Sequence, residues 1–535
     1  MKKLLKKFDS IIKKPVFWVI LLILVTSIVF IPALKMKFWW VDDGWNIMMA
    51  QKIINSIVHV DLGGLSIIFD ESNGRFRVMY WIYQTFEYLI GGTNPTLHFF
   101  VHYLVILFSA FIIFRIVILI TKSNLSAFAS SVLFILSRIN TENLYRLGPQ
   151  EPILCLFLIL SIYFLVKSKL FLSILFLLLS ILTKENGFVL WIPVFCFYLG
   201  KRILFKKRDL TLEKYCLWGF IFSIPFVLNT FLRNGGYSSN YILNVNQIAS
   251  NFGSHILSIK TGFSPFFTIF SATYLIRLII SFRNLRYKKL RLGLIYQGMF
   301  MLLFLLFVAV QSPWVFVLDR YLMPATVGLV IFIGLEISGI REMLLMQKVR
   351  RVSLLAGIFV AFLFIFITLN TIQIYNYGEG FVHNTRFIQS LYSNLANEVP
   401  QNGKVLLNFL KGDSTIELVT QTGMQLNLLY HRPDIQVSYL SLDNLPKGSF
   451  IIIGTPQIRE EYPRDMVEKS IGNFRKDESL VQKDKFLVVT TPVELFKQVA
   501  KKVFQLVIYK KPLSSDGIFT FATPRDYWYR YDVEI

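Results

Sequence analysis

Long apolar runs with very little charge are the feature that most constrains this chain. Runs such as 16–34, 156–166 and 361–369 recur along its 535 residues, of which 54% are hydrophobic and only 17% charged. A soluble domain of ordinary composition carries about a quarter charged residues. A run of about 20 apolar residues is long enough to cross the hydrocarbon core of a bilayer as a helix. The sequence therefore predicts an α-helical, polytopic membrane protein.

The distribution of Lys and Arg predicts how the chain is oriented. Eleven crossings are predicted, at 16–34, 98–120, 125–139, 152–166, 170–183, 188–200, 214–232, 264–282, 292–311, 322–340 and 352–374. Basic residues are concentrated in alternate connections, among them 2–14, 201–208 and 283–291. Because cytoplasmic loops carry the excess of Lys and Arg, we expect a cytoplasmic N-terminus and an extracytoplasmic C-terminal domain. These loops also account for the net charge of +23, so nucleic acid is not a predicted partner.

The stretch 170–200 has to cross the membrane twice if the alternation of basic loops is to hold. Each crossing is then shorter than the ~20 residues of a straight span. We therefore expect the break, Thr183-Lys184-Glu185-Asn186, to lie recessed at membrane depth. A charge held at that depth costs on the order of several kcal/mol unless it faces a cavity and has a partner. Lys184 and Glu185 are therefore candidate site residues.

The outer side of the predicted bundle holds the longest polar segments. Loop 35–97 contains two helical patterns, which we expect to lie in the membrane interface. The transmembrane domain is predicted to span 1–374, and 375–535 to form a separate α/β domain. Its predicted strands are 404–410, 436–440, 449–453 and 485–489, and its predicted helices are 414–430 and 460–474.

Asp42 and Asp43 follow the first predicted crossing within a tryptophan-rich stretch. One reading is an N-cap for the following helix, a position that Asp suits well. The other is catalytic, because adjacent carboxylates raise each other's pKa, as a general base working near neutral pH requires. We favour the catalytic reading, with the cap as the alternative.

Further candidate charges lie in the other outer loops. Glu142 and Arg146 are one helical turn apart, so a surface ion pair is the alternative to a functional role. Glu151 is either a site residue or a helix cap, and Arg320 either binds an anion or reaches toward lipid headgroups. Arg75 lies before the second interfacial helix, where contact with lipid phosphate is the alternative.

Carboxylates and cations from several outer loops fit an anionic phosphate bound beside a base. Transfer from a phosphate-activated donor needs positive charge for the leaving phosphate and a carboxylate to deprotonate the nucleophile. Nucleotide-activated donors are cytoplasmic, whereas this predicted site faces outward. A lipid-linked donor is therefore the natural choice. The three cysteines show no metal-binding spacing, and the His98–His102 pair has no evident third ligand, so no metal or other cofactor is expected.

Four stretches carry a family resemblance, in order along the chain: Asp42-Asp43; Asn140-Thr141-Glu142-Asn143-Leu144 with Gly148 and Glu151; Leu182-Thr183-Lys184-Glu185-Asn186-Gly187 with Pro193; and Asp319-Arg320-Tyr321-Leu322-Met323-Pro324. They resemble motifs of the GT-C glycosyltransferases that use polyprenyl-phosphate sugars, in particular the protein O-mannosyltransferases with tetratricopeptide repeats and their bacterial relatives. The likeness covers about 1–340. The sequence departs from the family in two places. Arg75 is not followed by the Pro of the corresponding family motif, and residues 375–535 are predicted to be α/β where the repeat-bearing relatives have tetratricopeptide helices.

The resemblance implies an inverting, metal-independent hexosyl or mannosyl transfer at the outer membrane face. It implies a catalytic pair, Asp42 and Asp43, of which Asp42 deprotonates the acceptor hydroxyl, and it implies that Glu142 orients the acceptor or tunes Asp42. Lys184, Arg320 and Arg75 would hold the donor phosphate. The supporting residues would be Glu185, Tyr321, Glu151 and Arg146. The acceptor, which can be a protein, a lipid, a glycan or a wall polymer, stays open.

Two other classes of function compete with this expectation. A transporter or flippase for a lipid-linked or anionic substrate would place its ionisable groups near the bilayer midplane, often with internal pseudo-symmetry. A membrane-anchored interaction protein would work through 375–535 and would tolerate substitution of Asp42. Charges at the outer helix ends favour the transferase.

Overall fold

The chain is described by a computed structural model that covers residues 14–39, 42–68, 77–206, 208–232, 244–283, 288–314, 318–346, 352–398, 401–402, 404–407, 413–439 and 450–453. Its longer helices are α1 (Pro15–Phe30), α2 (Asp43–Val58), α3 (Val78–Gly91), α4 (Pro95–Thr121), α5 (Asn124–Ile135), α6 (Glu151–Val166), α7 (Leu170–Thr183), α8 (Trp191–Phe205), α9 (Leu210–Leu232), α10 (Val245–Gly262), α11 (Phe266–Arg283), α12 (Lys288–Gln311), α13 (Met323–Met346), α14 (Val352–Glu398) and α15 (Asp413–Tyr430). The strands are β1 (Lys404–Leu407), β2 (Gln436–Tyr439) and β3 (Phe450–Ile453).

The helices confirm an integral membrane protein. Within the described ranges, six helical segments are long and apolar enough to cross a bilayer: Pro15–Lys35, Pro95–Thr121, Glu185–Phe205, Leu292–Gln311, Asp319–Leu344 and Gly357–Val382. Helices α10 and α11 form a pair bent by 104°, which is a seventh if counted as one span. Each of the eleven predicted crossings coincides with a helix. The predicted α-helical, polytopic fold class is therefore confirmed.

The chain divides into two compact units. The first comprises Met1–Ile31, Val60–Tyr83 and Phe100–Asn376. Helix α13 lies at its centre, since it is largely buried, and it packs against α5, α6, α11 and α12. An ion pair joins α11 and α13: Arg277 Nη1 lies 2.6 Å from Glu336 Oε2, and both side chains are buried.

The second unit comprises Pro32–His59, Gln84–Phe99 and Tyr377–Ile535. Among its described residues, β1 pairs in parallel with both β2 and β3, giving the order β2–β1–β3. Helix α15 connects β1 to β2 and packs against β2 and against α2. This part of the unit is an α/β fold, as the sequence predicts.

Both helices predicted in loop 35–97 are present, as α2 and α3. Helix α3 exposes Ile82, Phe86, Leu89 and Ile90 along one face. An exposed apolar face is what a helix lying in a membrane interface requires. That position in the interface stays a prediction.

Helix α14 continues beyond the predicted end of the last crossing at 374. It ends at Glu398, two residues before Pro400. Proline disfavours helical conformation in the residue before it and in the helix interior. The point at which this helix leaves the membrane stays a prediction.

Helix α10 lies in a stretch for which the sequence analysis predicts no element. Its first turn is capped by the Asn244 side chain, which accepts hydrogen bonds from the backbone N–H groups of Asn246 and Gln247. Asn is a preferred N-cap, so the sequence does carry a local signal for this helix. The predicted helix 460–474 and strand 485–489 lie outside the described residues.

Candidate active site

The loop between α5 and α6 carries Glu142 and is tied down by side-chain hydrogen bonds to backbone carbonyls. Asn140 Nδ2 donates to the Phe134 carbonyl at 2.7 Å, and the Tyr145 hydroxyl donates to the Val29 carbonyl at 2.7 Å. Between these anchors the short helix Thr141–Tyr145 presents Glu142. Because these hydrogen bonds join the loop to α5 and α1, Glu142 is held at a defined position in the first unit.

Two guanidinium groups share the Glu142 carboxylate. Arg320 Nη1 donates to Glu142 Oε1 at 2.9 Å, and Arg146 Nη1 donates to the same oxygen. Burial by itself would raise the pKa of Glu142, but the charges of Arg320 and Arg146 and the hydrogen bonds that both donate lower that pKa below its usual value. The predicted pair between Glu142 and Arg146 is present, but it is largely buried and includes Arg320. Glu142 therefore has the geometry of a fixed counter-ion.

Lys184 is buried and paired with Glu151. It directly follows the last residue of α7, and its Nζ lies 2.5 Å from Glu151 Oε1. Glu151 is the first residue of α6, one residue after the N-cap Gln150, and its side chain neutralises Lys184. A carboxylate in contact with a buried ammonium offsets the cost of burying it. Lys184 thus has a charged partner, and its depth in the membrane stays a prediction.

Tyr321 brings the two proposed phosphate-binding cations together. Lys184 Nζ lies 4.5 Å from the centroid of the Tyr321 ring, and Arg320 Cζ lies 5.1 Å from it. Cations within about 6 Å of an aromatic ring are attracted by its quadrupole. Residues far apart in the sequence thus place two positive charges against one ring.

The segment that carries Arg320 is held by residues that the sequence analysis did not single out as site residues. Asn143 Nδ2 donates to the Arg320 carbonyl at 2.7 Å, and the Ser258 hydroxyl donates to Asp319 Oδ1 at 2.6 Å. His102 Nε2 lies 2.7 Å from the Asn143 carbonyl. Asn143 belongs to the second-loop motif and could have been chosen for that reason. Ser258, on α10, carries no local signal.

Arg77 and Glu185 form a further, looser pair. Arg77 Nε lies 3.7 Å from Glu185 Oε2, with Arg77 buried and Glu185 partly exposed. Arg75, the residue assigned to the donor phosphate from the sequence, lies outside the described residues. Of the two neighbouring arginines, Arg77 is the one that the structure describes, and it contacts Glu185 within the first unit.

Cations and carboxylates are paired repeatedly in this part of the first unit. Glu142, Glu151 and Glu185 contact Arg77, Arg146, Lys184 and Arg320. Charge-assisted hydrogen bonds to Arg and Lys are the strongest protein contacts for phosphate. Side chains of this kind suit an anionic ligand.

Asp42 and Asp43 belong to the second unit, at the start of α2. Asp43 is 2% exposed, and its Oδ2 accepts a hydrogen bond from the Trp39 backbone N–H at 2.6 Å. Asp42 is half-buried and has a φ of 73° and a ψ of −41°, in a region that residues other than glycine rarely adopt. The two aspartates thus differ in role. Asp43 stabilises the loop that leads into α2, whereas Asp42 has the strained backbone conformation.

Across the described ranges, no three His, Cys, Asp or Glu side chains are grouped so that they could hold a metal ion. His98 instead lies 2.9 Å from the Gly92 carbonyl through its Nε2 atom. The expectation of a reaction without metal stays a prediction.

Comparison with known proteins yields a structural similarity but no family assignment. No family model matches the sequence, and no curated protein matches it. Among solved structures, the chain is similar to ArnT from Cupriavidus metallidurans, a crystal structure in the apo state. The similarity covers 94% of this chain and 96% of that one, at 12% identity and a TM-score of 0.46. A similarity of this degree does not establish a shared fold.

Proposed function

We propose that this protein is an inverting glycosyltransferase that moves a sugar from a polyprenyl-phosphate donor to an acceptor hydroxyl at the outer membrane face. The observation that carries the proposal is the meeting of Lys184 and Arg320 against the ring of Tyr321. Lys184 and Arg320 are far apart in the sequence. Lys184 is paired with Glu151, and Arg320 is paired with Glu142, which it shares with Arg146. A site built in this way suits a phosphate whose negative charge grows as it leaves.

Lys184 and Arg320 stabilise the negative charge that develops on the leaving phosphate. Preorganised charge that is aimed at a developing anion lowers the barrier by about 3 kcal/mol for a single donor group. Glu142 and Glu151 hold Arg320 and Lys184 in place before the donor arrives, so little reorganisation is needed. When the donor phosphate binds, the cations share their charge between it and these carboxylates.

The acid–base part of the reaction falls to Asp42. The acceptor oxygen attacks the anomeric carbon from the face opposite the phosphate, and its proton passes to the Asp42 carboxylate. The bond between the anomeric carbon and the phosphate oxygen breaks with its electron pair on oxygen. The products are the glycosylated acceptor with inverted configuration and the polyprenyl phosphate. Both charges of the step are handled by protein groups, so we expect no metal requirement.

The membrane location of the site supports a lipid-linked donor. Lys184 lies at the break between α7 and α8, and Arg320 lies at the start of an apolar helix that is buried within the bundle. A donor with a polyprenyl tail can reach such a position from the bilayer. The predicted outward orientation also excludes donors that are confined to the cytoplasm.

One observation favours a membrane transporter as the second candidate. The Arg277–Glu336 pair lies within two membrane helices, and intramembrane ionisable groups often mark substrate or ion pathways. A transporter for a lipid-linked or anionic substrate would require this pair for its activity. A transferase would require Asp42, Lys184 and Arg320 instead.

The proposal is tested with purified protein and a labelled polyprenyl-phosphate sugar, offered with extracted envelope acceptors. We expect Asp42→Asn to abolish transfer, and Lys184→Ala and Arg320→Ala to raise the donor KM more than the acceptor KM. Lys201→Ala and Arg208→Ala are matched controls, because these cations pair with Asp209 and Glu213 in a separate loop. Full activity of Asp42→Asn would refute the assignment of the base.

The outward orientation needs its own measurement. In a variant that lacks the three native cysteines, Val60→Cys, at a residue that is 78% exposed, is expected to react with an impermeant maleimide in intact cells. Arg208→Cys, in a basic loop, is expected to react only after permeabilisation. The reverse pattern would place the site on the cytoplasmic side, and the reason for preferring a lipid-linked donor would then be lost.

A further inference from the structure

The strained backbone at Asp42 needs support from neighbouring residues. A non-glycine residue with this φ persists only where the surrounding structure over-determines it. The carbonyl of Asp42 accepts a hydrogen bond from the Asn46 N–H at 2.8 Å, which begins α2. The Asp43 side chain links the preceding segment to the helix, because it accepts a hydrogen bond from the Trp39 backbone N–H. Further support comes from the C-terminal part of the second unit.

Three glutamines of that part reach the segment on both sides of Asp42. Gln425 Nε2 donates to the Trp39 carbonyl at 2.6 Å, and Gln389 Nε2 lies 3.2 Å from the Phe38 carbonyl. Gln421 Oε1 accepts from the Trp45 N–H at 3.0 Å, one of the N–H groups that helix geometry leaves unsatisfied at the start of α2. The segment is therefore held before and after the aspartate.

Two of the three glutamines, Gln389 and Gln425, are also bonded to each other. Gln389 Nε2 donates to Gln425 Oε1 at 2.8 Å, and the Tyr430 hydroxyl donates to the Gln389 carbonyl at 2.8 Å. Gln425 is fully buried and Gln421 is 5% exposed. A buried polar network of this kind is rigid when its members are satisfied. It therefore supplies a fixed frame.

Close backbone packing completes the frame. A Cβ atom at Gly44 would lie 2.9 Å from Gln425 Cγ and 3.1 Å from Gln421 Oε1. The first turn of α2 thus lies directly against α15, and only glycine leaves room for both glutamines. The amide group also suits the task chemically. It supplies both a donor and an acceptor, and it brings no charge that would pair with the carboxylate.

We propose that Gln389, Gln421 and Gln425 are positioning residues that hold the Asp42 carboxylate in place for the transfer reaction. This inference rests on the proposed function in assigning Asp42 as the base. It gives the C-terminal part of the chain a role in the chemistry, since α14 and α15 supply all three glutamines. Gln425 occupies the central position, because it contacts both the Asp42 segment and Gln389.

The first experiment measures position without measuring activity. In the variant without native cysteines, Asp42→Cys places a thiol at the site, and its alkylation rate in the folded protein is recorded. Adding Gln425→Leu is expected to change that rate several-fold. Gln436→Leu, a glutamine that is exposed on β2, is the matched control and is expected to leave the rate unchanged. Equal rates in the two variants would overturn the proposal.

The second experiment measures the reaction in the full-length protein. Gln425→Leu is expected to lower kcat by about 10- to 100-fold, with the donor KM little changed, because small misplacements of a catalytic group have effects of this size. In the Asp42→Asn background the same substitution is expected to change the residual rate less than twofold, since the group it positions is absent. Gln421→Glu retains the acceptor for the Trp45 N–H and is expected to be more active than Gln421→Leu.

The outcomes separate this inference from the proposed function. If the native protein transfers no sugar, the proposed function fails, and the alkylation rates alone decide whether the glutamines position residue 42. If it transfers sugar and Gln425→Leu lowers the rate equally with and without the Asp42 carboxylate, the glutamines are structural and the positioning role is excluded.

Discussion

At the scale of single residues, the two adjacent aspartates, Asp42 and Asp43, differ in their structural roles. Asp43 is buried and accepts a hydrogen bond from the Trp39 backbone N–H, whereas Asp42 has a strained backbone conformation. Conformations of this kind cost about 1 to 3 kcal/mol and cluster at functional sites. The strain at Asp42 is therefore consistent with selection for chemistry over stability.

This strain predicts that replacing Asp42 with glycine raises the stability of the protein and abolishes its activity. Asp42→Gly relieves the positive φ, and after the entropic cost of glycine we expect a gain of about 1 kcal/mol in the free energy of unfolding. Transfer activity is expected to vanish. Asp42→Asn, which keeps a Cβ atom, is the control and is expected to be inactive without the gain. Thermal unfolding in detergent measures both, and a less stable glycine variant would contradict the strain.

Glu142 illustrates a residue whose charge state follows from its neighbours. Its pKa is lowered from the usual 4.5 by Arg320 and Arg146, in spite of burial. A carboxyl whose folded-state pKa is depressed contributes stability that is present above its unfolded pKa. That contribution is lost as the pH falls through the lower, folded-state pKa. The carboxylate is thus fully charged at neutral pH.

We therefore expect Glu142→Gln to lower the free energy of unfolding by about 3 kcal/mol at neutral pH, because two arginines lose their counter-ion. The difference between native protein and variant should shrink as the pH is lowered below about 4.5. Glu213→Gln, in an exposed pair with Arg208, is the control and is expected to have little effect. A difference between the Glu142 forms that grows in acid would contradict the assigned charge state. Thermal unfolding across a pH series gives the measurement.

At the scale of secondary-structure elements, the break between α7 and α8 positions Lys184. The chain leaves α7 at Thr183, and a 3-10 turn, Glu185–Leu190, leads into α8. Gly187 makes this turn possible by close approach, because a Cβ there would lie 2.6 to 2.8 Å from backbone atoms of Ser180 and Ile181. Backbone atoms cannot yield in the way that a flexible side chain can.

Gly187→Ala should therefore push the 3-10 turn away from α7 and displace Lys184. We expect a loss of stability of about 1 to 3 kcal/mol, as for overpacking in general, together with a higher donor KM. Gly253→Ala is the matched control, since a Cβ at this exposed position in α10 would meet nothing within 4 Å. It is expected to stabilise the protein by about 0.5 to 1 kcal/mol. Unfolding and donor kinetics of both variants test the difference.

At the scale of the whole molecule, the bundle has to keep charges within the membrane without being disrupted by them. Arg277 and Glu336 do so by pairing between α11 and α13, close to the Gln297 side chain. Such a pair adds little net stability compared with apolar residues, but removing one partner leaves an isolated buried charge. The pair thus links the two helices in one relative position.

Substitution of one partner and of both should differ in the size of the effect. Arg277→Met and Glu336→Met are each expected to cost about 3 to 5 kcal/mol in unfolding free energy, whereas the double variant recovers most of that loss. Transfer activity should recover with it if the pair is structural. A stable double variant that has lost transfer would contradict a purely structural role of the pair. A double-mutant cycle on unfolding and transfer makes the comparison.

The sequence by itself determined the class of protein and the local elements. Apolar length predicts the helices because a bilayer leaves backbone groups no partner except one another, so a run of sufficient length has one stable form. The helical periodicity of loop 35–97 predicts α2 and α3, and strand patterns predict β1, β2 and β3. Lys184 could be chosen because a charge at membrane depth is costly. These inferences depend on neighbours in the chain alone.

Only the tertiary structure decided which residues share a site. Nothing local to Ser258, Gln389, Gln421 or Gln425 distinguishes them from other polar residues, and their partners lie tens to hundreds of positions away. The meeting of Lys184 and Arg320 at Tyr321 likewise depends on how helices pack. Hydrogen bonds and ion pairs act over a few ångströms in space, whereas sequence patterns report spacing along the chain. Contacts between distant segments therefore had to be seen in three dimensions.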